Sequence, residues 1–293
     1  MATTVGFIGF GVMGAPMALN LIKAGFKVVG YDVKMENVRA VDGVEAVASV
    51  AEVAKKCDRI VTMLPDSPHV EEVMLSEQGL LAHLAKGAIV ADMSTISPKT
   101  SRRIFEKASE KGIGALDAPV SGGKKGAIEG TLSIMAGGEQ KDFDAFLPIF
   151  QAMGKTIILT GPAGSGQTVK LCNQVMVAIN IQAVCEAFSL AKAEGMDLAM
   201  VRKVLMGGAA NSWMLENLAP QMLAGDSSAG FRISLQLKDL RLALETAMQD
   251  NVPMPAAGLA TNMYLEAGAH GELDNGNQAM YRTYERLVNR TFQ

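Results

Sequence analysis

Apolar positions fall into two rhythms along the chain. Up to about residue 162, short β-rich runs alternate with helix-length amphipathic segments, the pattern of a parallel sheet covered by helices. Runs rich in Val, Ile, Leu and Met predict strands at 5–8, 27–31, 59–63, 88–92, 114–118, 131–136 and 156–159, with helices between most of them. After Gly164 the β-branched runs stop and apolar residues recur at helical spacing almost to the end. Residues 167–194 contain neither Gly nor Pro. One helix of about 28 residues there would be about 42 Å long at 1.5 Å per residue. The expected fold class is therefore α/β: a Rossmann-type dinucleotide-binding domain over 1–162, then an all-α domain over 163–293, joined by a long interdomain helix. With no repeat, low-complexity tract or flexible linker, the two should share a cleft, where ligands commonly bind.

Composition narrows the partners. The chain has 293 residues, 49% hydrophobic and 19% charged, enough for a substantial core. Its net charge is −3 with both signs scattered, so no basic field attracts nucleic acid or an anionic membrane. Apolar runs are broken by charge or glycine before reaching the roughly 20 residues of a membrane span. A small molecule is the expected partner. Cys57, Cys172 and Cys185 form no CxxC pair and no metal-ligand spacing, and read as buried thiols of a reducing compartment. The amino terminus carries no secretion-signal pattern, which points to the cytoplasm. Richness in Met and Ala in the helical half predicts a homodimer or homotetramer.

The first strand runs into Gly9-Phe10-Gly11-Val12-Met13-Gly14 and then into a helix at 15–23. In that context Gly9 permits a tight turn, Gly11 admits a pyrophosphate to the backbone, and Gly14 lets helix and strand pack closely. The helix start, with Val12 and Met13, offers N–H groups and a positive dipole end to phosphate. Asp32 ends the second strand, 18 residues beyond Gly14, where a carboxylate binds the adenosine ribose. An acid there repels a 2′-phosphate, so NAD is expected rather than NADP, with Lys34 softening the preference. Leu64-Pro65-Asp66 and Ser94-Thr95 follow later strands and are candidate cofactor walls, with Leu64, Pro65 and Thr95 the contacts. The plainer alternative is that Asp66 or Ser94 caps the next helix.

Asp117-Ala118-Pro119-Val120-Ser121-Gly122-Gly123 ends a further strand in a turn whose hydroxyl and N–H groups suit a carboxylate; a structural turn explains the same letters. Residues 161–168 nearly satisfy a phosphate-loop pattern. Gln167 stands where that pattern needs lysine, and an amide cannot replace the charge, which excludes a triphosphatase there. Lys170 follows, with Asn173 and Gln174 at i+3 and i+4 on one helical face. Its neighbours Cys172, Val175, Met176 and Ile179 are apolar, so Lys170 is expected to face a cavity or a partner. His69, His83 and His270 show no ligand spacing, and no metal is expected.

Four segments together, GFIGFGVMGAPMALNLIKAGF, DAPVSGG, GSGQTVKLCNQ and Lys238-Asp239-Leu240, resemble the β-hydroxyacid dehydrogenase family over essentially the whole chain. That family includes 3-hydroxyisobutyrate dehydrogenase, tartronate semialdehyde reductase and 2-(hydroxymethyl)glutarate dehydrogenase. The resemblance implies that Ser121, Gly122 and Gly123 contact a small carboxylate-bearing substrate and that Lys170 is catalytic. It implies further that Asn173 and Gln174 orient the substrate and that Lys238 closes over the nicotinamide end of the cofactor. Gln174 stands where many members carry Asn. Hydride transfer to a carbonyl builds negative charge on oxygen, which a lysine meets with a proton or a fixed charge. In the oxidation direction the lysine must be neutral, and an apolar setting lowers its pKa toward that end. Two rivals remain: a non-catalytic dinucleotide-binding sensor or scaffold, against which the retained Lys170 argues, and a decarboxylating sugar-acid dehydrogenase, which would need a longer helical half. Arg232 and Lys124 are candidates for a distal substrate carboxylate, with surface charge the plainer reading of each.

Overall fold

The computed structural model describes residues 3–293, which divide into two compact units, one up to Lys170 and one from Leu171 on. In the first, the chain runs β1 (Thr4–Ile8), α1 (Gly14–Lys23), β2 (Lys27–Tyr31), α2 (Met35–Arg39), β3 (Val44–Ala46), α3 (Val50–Lys56), β4 (Arg59–Thr62), α4 (Ser67–Leu75), α5 (Leu80–His83) and β5 (Ile89–Asp92). It continues through α6 (Pro98–Ser109), β6 (Gly114–Asp117), β7 (Val120–Ser121), α7 (Gly123–Glu129), β8 (Leu132–Gly137), α8 (Gln140–Gln151) and β9 (Gly154–Gly161).

The strands form one sheet in the order β3-β2-β1-β4-β5-β6-β8-β7, with β9 paired to β8. The first six are parallel, and the order reverses at β1, the switch point where such sheets bind ligands. Successive strand residues serve opposite faces. Val5, Phe7, Ile89 and Ala91 enter one core, while Ile8, Ile60, Val90 and Ala115 enter another. Both faces are covered, which is why the strands read as continuous apolar runs. The sheet is not wholly parallel. Beyond Pro119, β7 extends the line of β6, and both lie antiparallel to β8. The pairing is long-range, and the expected turn at 117–123 therefore carries two further strand residues. Two short strands, β3 and β7, lie outside the expected set because three and two residues carry no readable alternation.

The second unit is helical: α9 (Ser165–Ala193), which starts in the first unit, then α10 (Leu198–Met206), α11 (Trp213–Asn217), α12 (Ala219–Leu223), α13 (Ile233–Gln249), α14 (Pro255–Ala269) and α15 (Met280–Val288). Its core takes Ala178, Ile181, Val184, Cys185, Phe188 and Ala191 from α9, the i, i+3, i+4, i+7 spacing of one helical face. They pack with Met222, Ile233, Leu240, Tyr264 and Tyr281. By length and composition α9 could cross a membrane. Here Ala178, Ile181, Cys185 and Phe188 are instead fully buried in the helical core. One expectation is corrected: Cys57 and Cys185 are buried thiols, but Cys172 is exposed, because its position on α9 faces away from the side that carries the core.

Candidate active site

The last residues of five strands lie in one row across the sheet, Tyr31 beside Ile8, then Thr62, Asp92 and Asp117. The loops carrying most of the sequence-predicted residues leave from this row. Gly9 follows β1 with φ +98°, and a Cβ there would collide with the Met63 carbonyl oxygen, so no other residue fits. Gly14, the first residue of α1, packs against the Gly9 carbonyl in the same way. Gly11 differs from both. It is exposed, and a Cβ there meets nothing within 4 Å, so no protein neighbour requires the glycine and the space above it is open. Exposed Val12 and half-buried Met13 lead into α1, whose start has no side-chain cap and no acidic residue in its first turn. An uncapped, acid-free helix start beside an open glycine fits a dinucleotide pyrophosphate.

Asp32 is bound to that loop. Its Oδ2 accepts from the Phe10 amide at 2.6 Å, and its Oδ1 accepts from the Lys34 amide at 2.7 Å. A carboxylate has about four lone-pair sites, which leaves capacity for ribose hydroxyls.

The neighbouring strand ends are joined by a buried polar network. Asp92 Oδ1 accepts from Thr62 Oγ1 at 2.7 Å and from Ser94 Oγ at 2.6 Å, while the Leu64 amide donates to Ser94 Oγ at 2.8 Å. Half-buried Leu64 and Thr95 and exposed Pro65 thus sit on loops braced from beneath. Asp66 caps α4 through the Ser67 amide at 2.7 Å, whereas Ser94 caps nothing and serves this network instead. Asp117 closes the row, accepting from the Gly164 amide at 2.6 Å and the Gln167 amide at 2.8 Å. Burial pushes its carboxyl up to about 6, with Asp92 adding to the rise and the two amides opposing it.

The Gln167 side chain is fully buried. Its Oε1 accepts from the Ile96 amide at 3.0 Å and its Nε2 donates to the Ser94 carbonyl at 2.8 Å. Lys170 lies three residues further along α9 and is 5% exposed, so it is not the surface lysine its position on a helix would ordinarily make it. Ser121 ends β7, paired with Ser133, and Gly122 and Gly123 follow with φ of +133° and +60°, leading into α7. Lys124 is exposed.

In the helical unit, Gln174 is buried and its Nε2 donates to Asp239 Oδ2 at 2.6 Å, while Asn173 Nδ2 donates to Gln174 Oε1 at 2.8 Å. Lys238 Nζ lies 3.1 Å from Asp239 Oδ1. Asp239 therefore gathers Gln174 and Lys238, two of the sequence-predicted residues. Gln236 donates to the Gln174 carbonyl at 3.2 Å and accepts from Asn277 Nδ2 at 3.3 Å. Arg232 is exposed and paired with Asp274 at 3.3 Å, as a surface charge. Sequence reading assigned no role to Asp92, Asp117, Gln167 or Asp239. The signal was a polar residue at a strand end or on an apolar helix, and its partners could not be read from it.

Comparison with known proteins bears on the family and the fold. Residues 4–161 match the family described as the NAD binding domain of 6-phosphogluconate dehydrogenase, and residues 164–284 match the NAD-binding family of NADP-dependent 3-hydroxyisobutyrate dehydrogenase. The chain is 40% identical to the 2-hydroxy-3-oxopropionate reductase of Escherichia coli (strain K12), over 97% of this chain and 98% of that one. It is 40% identical to the NAD-dependent L-serine dehydrogenase of Pseudomonas aeruginosa, over 89% and 90% of the two chains. Among solved structures, the 3-hydroxyisobutyrate dehydrogenase of Mycobacterium tuberculosis with L-serine superposes with a TM-score of 0.90 at 33% identity, covering 97% of this chain and 99% of that one.

Proposed function

The chain belongs to the β-hydroxyacid dehydrogenase family, and on that premise we propose that it exchanges hydride between NAD(H) and a three-carbon 3-hydroxy acid or its semialdehyde. The observation that carries this reading is a buried lysine, Lys170, on a helix whose first turn is tied to the same strand-end row that carries the glycine loop. When bound, NADH supplies the hydride. Lys170 Nζ delivers the proton to the carbonyl oxygen on which charge develops, and takes it back in the reverse direction.

The other assignments belong to the same proposal. Ser121 and the amides of Gly122 and Gly123 hold the substrate carboxylate, with Asn173 and Gln174 orienting the reacting end. Gly9, Gly11, Val12, Met13, Gly14, Asp32, Leu64, Pro65 and Thr95 form the cofactor surface of the first unit, and Lys238 is the cofactor contact supplied by the helical one. Asp32 supports NAD over NADP. The functional boundary in this proposal is 162/163, ahead of α9, although the first turns of α9 belong to the first compact unit, and the helical part carries substrate and oligomer contacts. A homodimer or homotetramer is supported by exposed Met176, Leu190, Val204, Trp213 and Met248 on the helical unit. A cytoplasmic location is supported by three unpaired cysteines.

The three-carbon substrate is supported by the relatives named for 2-hydroxy-3-oxopropionate and L-serine, both three-carbon acids oxygenated at C3. The test follows absorbance at the reduced-nicotinamide band with NADH or NADPH and a panel of semialdehydes, including those of 3-hydroxyisobutyrate and 2-(hydroxymethyl)glutarate. Fastest NADH consumption with 2-hydroxy-3-oxopropionate, lost in Lys170→Ala, is the expected result. Cofactor binding with no turnover of any aldehyde would replace this reading by the sensor. Light scattering that shows a monomer at micromolar concentration would remove the oligomer.

A further inference from the structure

The phosphate-loop-like segment before Lys170 is unexplained by nucleotide binding, yet its central side chain is among the most enclosed polar groups of the first unit. We infer that Gln167 is a positioning residue that sets the loop Ser94–Ile96, and with it the cofactor contact Thr95, at a fixed distance from the helical turn that carries Lys170. The inference rests on the proposed hydride-transfer reading.

Three consecutive ties seat the start of α9. The Gly164 and Gln167 amides donate to Asp117 at the end of β6. Gly166 lies so close to the Met135 and Asp117 carbonyl oxygens that a Cβ would collide with both. The Gln167 amide group then spans Thr95, accepting from the Ile96 amide and donating to the Ser94 carbonyl. Ser94 Oγ in turn accepts from the Leu64 amide, so the same chain of bonds reaches the second cofactor-wall loop.

Only a neutral group with one donor and one acceptor satisfies both backbone partners. Lysine has no acceptor for the Ile96 amide, and glutamate would set an oxygen against the Ser94 carbonyl. The letter that breaks the phosphate-loop pattern is thus the one the fold requires. Lys170 is about one helical turn from Gln167, roughly 4.5 Å along the axis, so movement of the first turn moves the ammonium.

The test compares Gln167→Met with Thr168→Ala, which removes a bond to the Gly164 carbonyl in the same turn without touching the loop. In the NADH-bound protein, Ile96 amide exchange should quicken about tenfold or more in Gln167→Met, as expected for a lost hydrogen bond. Single-turnover hydride transfer should fall about 30- to 100-fold, the scale of a misplacement near 1 Å, with the Kd for NADH changed less than about threefold. Thr168→Ala should match the wild type in both. Gln167→Asn, which keeps one donor and one acceptor on a side chain one methylene shorter, should fall between and serves if the Met variant does not fold. Unchanged exchange at Ile96, unchanged hydride transfer, or an equal loss in Thr168→Ala overturns the inference. Should the wild type turn over no aldehyde, the proposed function fails, and exchange at Ile96 in the NADH complex still decides whether the tie exists.

Discussion

Asp117 in the Rossmann unit and Asp239 in the helical unit are both buried carboxylates beside residues assigned to the reaction, but they are held by different kinds of partner. Asp117 is held by main-chain amides of Gly164 and Gln167, and Asp239 by the side chains of Gln174 and Lys238. The first unit presents backbone at strand ends and helix starts, braced from beneath by the side chains of Asp92, Ser94 and Gln167. The second depends on which side chains are present, so a single substitution takes a buried partner from its neighbours.

The contrast breaks most visibly at Lys170. If the cofactor surface is built from backbone, binding and chemistry separate: Lys170→Ala should lose three to four orders of magnitude in turnover, about the upper range for a general acid, with NADH affinity within about threefold. Stopped-flow absorbance and cofactor titration read the two separately, and a parallel loss of affinity would contradict the separation.

Next in size is Asp239→Leu. It removes the buried carboxylate that accepts from Gln174 and pairs with Lys238, and should cost about 3–5 kcal/mol in urea unfolding, as for a buried pair broken on one side. A cost below about 1 kcal/mol would show that the side-chain network relaxes as readily as backbone does.

Asp117 supplies a pH test. Its folded-state pKa of about 6 lies above the ordinary 3.8, so the fold favours the protonated form. Its contribution to stability is fully present below about pH 4 and is lost as pH rises through about 6, a change of about 2–3 kcal/mol. Unfolding midpoints of wild type and Asp117→Asn across that range should diverge by this amount. Parallel curves would mean that the Gly164 and Gln167 amides stabilise the anion as fully as water does.

The smallest effect is expected at Arg232→Ala. It removes an exposed pair with Asp274 and should change stability by at most about 0.5 kcal/mol and leave turnover unaltered. A raised KM for a dicarboxylic substrate would instead make Arg232 a substrate contact.

Legibility followed the range of the interactions. The helix expected over 167–194 is α9, observed at Ser165–Ala193, because an unbroken apolar periodicity is a local property. The strand 27–31 is likewise β2, and Gly9 has the positive φ that its place in the glycine pattern required. The antiparallel continuation of β6 into β7 was not readable, since it depends on β8 arriving from twelve or more residues away. Nor was the role of Gln167, a mismatch to a motif in the sequence and a bridge to the Ser94–Ile96 loop in the fold.

The amino-acid sequence by itself determined the two rhythms, the βαβ start with its glycine turn and acid, and the apolar helix that carries Lys170. These depend on φ preferences and on periodicities of two and 3.6 residues, which act over a few residues of chain. Tertiary structure decided which buried polar groups meet. Gln167 finds Ser94 across 73 positions, and Gln174 finds Asp239 across 65. The physical reason is that a buried donor or acceptor must be paired, but its partner is whichever group the packed core brings within about 3 Å, and that packing is a property of the whole chain.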